Sequence, residues 1–275
     1  MLNEPSESSN ADPDQGETAL GPAAVPPALD PAAGALLAVG MDAVAEVLEW
    51  ARDGVGADPA ACAWLASLRV SRLLGLPLDS SAPPQLRRGL DDDLERWAAA
   101  SSAGSLARAI PAESVQCRFP RFAAAMRVER MGTRSHPLTP AELDPQLRDD
   151  SALLRLLPVA LMAHLDEDTL ARVARDVAAI SESGEPTLES AADSVLRLAR
   201  ALRTAAPGGG SEAQASPKPD ASTSRPSPWT DASPWATASA VIGRHLSEAP
   251  EALSFRDAVL APAAARIDAA YGVNL

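Results

Sequence analysis

Aromatic residues make up only 3% of this chain, and the strand-favouring residues Ile and Tyr are scarce, which argues against a β-rich fold. The apolar residues, 46% of 275 positions, are mostly Ala, Leu and Val. They suffice for a buried core and suit helices, so the composition predicts an all-α protein. Positive charge is also short: 24 Lys plus Arg face 37 Asp plus Glu, giving a formal charge of -13 and a pI near 4.7. Such a chain repels phosphate backbones and anionic membrane surfaces, so neither nucleic acid nor membrane is expected as a partner. The two cysteines, Cys62 and Cys117, match no zinc or redox spacing; they read as isolated, buried thiols, with no metal site. The opening Met-Leu-Asn-Glu-Pro lacks the charge and apolar run of a leader, and no stretch reads as the roughly 20 apolar residues of a membrane span. The expected location is the cytoplasm.

Residues 1–30 hold six acids (Glu4, Glu7, Asp12, Asp14, Glu17, Asp30) and no Lys or Arg, a composition expected to form a disordered tail. Residues 205–235, with Gly208-Gly209-Gly210 and prolines from Pro217 to Pro234, read as a flexible linker or loop with Trp229 and Trp235 as docking points. Helical periodicity marks Ala35 to Arg52, Pro59 to Leu74 and Leu90 to Ala100, the last led by Asp91-Asp92-Asp93, which reads as a solvated helix start. Ser151 to His164 is strongly apolar and predicts a central buried helix kinked at Pro158. Asp168 to Ile180 and Thr187 to Leu202 follow, separated by Ser183-Gly184-Glu185-Pro186. Ala238 to Leu246 and Ser254 to Tyr271, interrupted at Pro262, complete the helices.

Self-contained catalytic motifs are missing: there is no phosphate-binding glycine loop, no His-Glu-x-x-His pair and no nucleophile elbow. His136, His164 and His245 are well separated and read as structural.

Arg130-Met131-Gly132-Thr133, then His136-Pro137-Leu138, then Ser151 through Leu161, together resemble the middle of the ADP-ribosylglycohydrolase family, especially its actinobacterial branch. Ala179 to Pro186 resembles that family's Ala-x-Thr-His-x-His-Pro segment with both histidines replaced. Ser254 to Leu260 and Ala270 to Val273 resemble the helices flanking its last metal motif. Between them the family carries Gly-Asp-x-Asp-Ser/Thr, whereas this chain has Ala261-Pro262-Ala263-Ala264-Ala265-Arg266. Near the start, Asp42 and Asp58 are single acids, and no Thr-Asp-Asp-Thr is found.

The resemblance implies an orthogonal helical domain formed by residues 31–204 and 236–275. The family uses magnesium, held by clustered aspartates; with those missing, no cofactor and no catalytic residue are expected. Hard divalent cations need several oxygen ligands. The reading is thus a pseudoenzyme that binds a protein or an ADP-ribose-like ligand, with Arg130, Arg134, Arg148, Asp149 and Asp150 as candidate ligand-binding residues. Asp149-Asp150 also reads as the N-terminal cap of the helix from Ser151. Two alternatives stand beside it: an active hydrolase rebuilt on Asp149, Asp150 and the remote Asp58, and an unrelated helical interaction module.

Overall fold

The structure, a computed structural model, describes residues 31–162, 165–205 and 256–271. The tail of residues 1–30, the linker beyond Ala205 with its two tryptophans, the helix expected over Ala238 to Leu246, His164 and His245 lie outside the described residues. Among the described residues the secondary structure is helical, with no strand.

The long first helix organises the rest. α1 (Pro31–Arg52) is rich in Ala and Leu and buried nearly all round through its first five turns, from Ala32 to Leu48, the pattern of a core helix rather than an amphipathic surface one. It starts four residues earlier than the periodicity predicts. It is also long and apolar enough to cross a bilayer, with a mean hydropathy of 1.5 over an 18-residue window, contrary to the sequence reading; 89% of that window is buried inside the fold. Its C-terminus closes with Gly54 at φ 75°. There the Gly54 N–H donates to Ala51 and that of Val55 to Trp50, a turn in which a left-handed residue satisfies the last carbonyls.

α2 (Pro59–Leu73) begins on Asp58, whose carboxylate accepts from the Ala60 N–H at 2.9 Å, with Pro59 where a missing N–H does no harm. It packs along α1. α3 (Gly89–Ala100) follows, then the short helices α4 (Leu106–Ala109), α5 (Ala112–Arg118) and α6 (Pro120–Ala125). The run from Ser151 divides into α7 (Ser151–Leu156) and a 3-10 helix (Leu157–Leu161); Pro158 lacks the N–H an α-helix would need there. α8 (Glu167–Ala178) is capped by Asp166, which accepts from Thr169 N at 2.8 Å, and pairs with α9 (Glu185–Ala205). A π-helical segment (Arg256–Leu260) leads into α10 (Ala261–Tyr271). Pro262 therefore sits in the first turn of α10, next to the point where the π-helical segment gives way to α-helix. α10 packs on α1, and its Ala263, Ala264, Ile267 and Ala270 are buried.

Two further expectations are corrected. Asp91 and Asp93 are buried at 2% and 5% exposure, so only Asp92 of that run is a solvated start; the helix turns the other two inward, toward arginines. Cys117 is exposed on α5, whereas Cys62 is buried, and burial, reinforced by Glu46, pushes its thiol up to about 12.

α1 also approaches the α7 region closely. A Cβ on Gly40 would overlap the Arg155 carbonyl oxygen and come within 3.0 Å of Pro158 Cγ. Gly40→Ala should therefore destabilise the fold by about 1–3 kcal/mol in urea unfolding, whereas Gly56→Ala, which meets nothing within 4 Å, should stay within about 0.5 kcal/mol. Equal midpoints for the two variants would contradict this packing.

Candidate functional site

Two groups of charged side chains are built into the helical core. In the first, Arg69 of α2, 6% exposed, lies between two buried acids. Its Nη2 donates to Asp42 of α1, and its Nε donates to Asp91 of α3 at 2.6 Å. Arg88, just before α3, stands 3.3 Å from Asp42 and donates to Glu49 at 2.8 Å. Arg266 of α10 donates to Asp93 at 2.7 Å. Each guanidinium thus answers an acid contributed by a different helix, as buried charges require.

The second group floors a cleft of about 530 Å³, bounded by the 145–150 loop, α7, the 182–183 turn and α9. Asp149 organises one wall. One carboxylate oxygen accepts from the N–H groups of Arg121 and Phe122 at 2.8 and 3.2 Å, and the other accepts from the Ser151 N–H at 3.0 Å and the Ser151 hydroxyl. It therefore caps α6 and α7 together. Arg121 donates through Nε to the Ser181 carbonyl at 2.7 Å, through Nη1 to the Leu147 carbonyl at 3.2 Å, and pairs with Glu182 at 3.0 Å. Beneath it Arg155, 1% exposed, donates to Ser151 O and Ser181 Oγ and stacks over the Phe122 ring at 5.4 Å. Burial pushes the Arg155 guanidinium down to about 10, against the attraction of Asp149 and Glu182. Burial likewise pushes the Glu182 carboxyl up, opposed by Arg121 and Arg155.

Of the candidate residues, Arg148, Asp149 and Asp150 meet in this cleft and the other two lie elsewhere. Arg130 is engaged by Glu142 at 2.7 Å and by the carbonyls of His136 and Pro137, which fixes the Met-Gly-Thr loop. Arg134 faces Asp176 and Glu189 on α8 and α9. Asp58 is spent on capping α2 and does not line the cleft, so the acid triad of Asp58, Asp149 and Asp150 is not assembled. His136 is exposed, with Nδ1 3.0 Å from Ser135 Oγ.

Arg121, Arg155, Glu182 and Arg69 were not singled out by sequence. For Arg69 in α2 and Arg155 in α7 the signal was a charge inside an apolar helical run, which demands a partner; Arg121 and Glu182 carry no such local signal.

The residues around Ala261 to Arg266 do not suit a magnesium ion. Ala263 and Ala264 are buried apolar residues and Arg266 brings a cation to Asp93, while Asp42 and Asp91 share Arg69. Magnesium wants an octahedron of hard oxygen ligands. Among the described residues no group of three or more His, Cys, Asp or Glu could hold a metal. No protein-family model, curated protein or solved structure matches the chain.

Two outcomes follow. Arg69→Met, which leaves Asp42 and Asp91 uncompensated in the core, should cost about 3–5 kcal/mol by chemical denaturation; a loss under about 1 kcal/mol would mean the acids are hydrated. The Thr139 N–H, ahead of Arg130 and the Thr139 hydroxyl, holds the Glu142 carboxyl down to about 2. A depressed folded value stabilises the loop above the ordinary glutamate range, and this contribution disappears as pH falls through about 2. NMR titration of the Glu142 side chain should find that low midpoint; an ordinary glutamate midpoint would detach Arg130 from it.

Proposed function

We propose that this protein is a non-catalytic binding scaffold with the helical organisation of an ADP-ribosylglycohydrolase, and that a protein partner docks in the cleft between the 145–150 loop and α9. The observation that carries this reading is the position of Arg266. In the segment resembling the family's last acidic motif, this chain supplies an arginine that pairs with Asp93. A guanidinium there provides the positive charge for a neighbouring acid but can neither polarise a leaving group by coordination nor activate a water molecule as a metal does. The buried acids serve the fold, and the open cleft on the α9 side remains for binding.

Cleft electrostatics favour a protein over an ADP-ribose-like ligand. A diphosphate would meet three acids, Asp149, Asp150 and Glu182, against Arg148 alone, because Arg121 is already engaged by Glu182 and two carbonyls. The free thiols of Cys62 and Cys117 accord with a cytoplasmic setting, where thiols stay reduced.

The test uses ADP-ribose and ADP-ribosylated arginine. The purified chain should release no ADP-ribose, with or without magnesium, and its thermal midpoint should not move with ADP-ribose. Magnesium-dependent release would overturn the reading. A saturable, metal-independent shift abolished by Arg148→Ala would assign the cleft to the nucleotide instead.

A further inference from the structure

We propose, resting on the partner-binding reading above, that the cleft accepts an extended peptide segment carrying a lysine-like cationic side chain beside an apolar one. The first support is the difference between groups the fold uses and groups it leaves. The positive groups are engaged: Arg121 by Ser181, Leu147 and Glu182, and Arg148 through Nη1 by the carbonyls of Pro145 and Leu147. Asp150 is exposed and, although it precedes α7, its carboxylate caps nothing. The hydroxyls of Ser183, Thr187 and Ser190 have no hydrogen-bond partner among the described residues. The cleft therefore offers acceptors to an incoming donor.

An ammonium group has three donors and no acceptor, which suits a cleft that offers both an exposed carboxylate and hydroxyls along its lining. Its aliphatic stem needs an apolar bed. Leu153, one of the few exposed large apolar side chains at 42%, supplies that bed with Pro145, Pro186 and Ala191.

The shape selects a chain segment over an isolated amine. The wall on α9 from Thr187 to Ser194 is about 10.5 Å long, the span of about three extended residues. Ser and Thr hydroxyls along it can meet peptide N–H and C=O groups in turn. The whole chain, at -13, adds long-range attraction for a basic partner.

The experiment titrates the full-length protein into a fluorescein-labelled Leu-Lys-Leu-Lys-Leu-Lys peptide and its Leu-Glu counterpart, read by anisotropy. The lysine peptide should bind and the glutamate peptide should not. Asp150→Asn should weaken binding about tenfold, as loss of one charged hydrogen-bonded pair does. Glu113→Gln, the same charge change on an exposed position of α5, should leave it unchanged. Carbodiimide should join the peptide to Asp150. Absence of binding, equal weakening in both variants, or a cross-link from Asp150 to Lys218, the chain's only lysine, would overturn the proposal, the last by giving the cleft to the chain itself. Preference for the glutamate peptide would also overturn it but leave the partner-binding reading standing, whereas magnesium-dependent release of ADP-ribose removes that reading on its own.

Discussion

The double contact of Arg69 with Asp42 and Asp91 is the interaction on which the core depends. α1 is enclosed nearly all round, and a helix so enclosed can carry a carboxylate only if a cation is delivered to it. α2 delivers it, and the same guanidinium reaches α3. Three helices that otherwise meet through Ala, Leu and Val are thereby set in one register. Apolar contacts alone are tolerant of sliding, because alanine-rich surfaces present few distinct shapes; charge pairing in a dry interior is not.

The floor of the cleft follows the same logic with different elements. Asp149 gathers the starts of α6 and α7, and Arg121 ties that junction to the 181–182 turn between α8 and α9. At its base most polar atoms bind one another, Nη1 of Arg155 excepted. At its rim, Asp150, Ser183, Thr187 and Ser190 are left to solvent. The base is thus largely closed on itself, while the rim keeps polar groups that the fold does not use.

Most helix positions were legible because local signals coincided with tertiary ones. Asp58-Pro59 starts α2 and Gly75 follows its end, and both α8 and α9 are amphipathic, so periodicity located them within a few residues. The rest was not legible, for separate reasons. Asp91 and Asp93 read as solvated because a charge run normally is, and only the distant Arg69 and Arg266 make burial favourable. Free cysteines are usually buried, yet Cys117 is exposed because the short α5 buries only Val115. In the cleft, Arg148 to Asp150 were found because they are adjacent in sequence. Glu182 and Arg121 were not, since their pairing spans 61 positions of chain and no local pattern encodes it.

The packing of α10 on α1 has a consequence for synthesis. α10 packs on a part of α1 that is translated long before it. At about 5–20 residues per second, the roughly 200 intervening residues keep that part waiting on the order of 10–40 s. During that interval Asp93 has no Arg266 and the alanine-rich side of α1 has no cover. Any part of the fold that forms before α10 is made leaves that side of α1 open, so the order of the helices along the chain sets how long the surface waits for its cover.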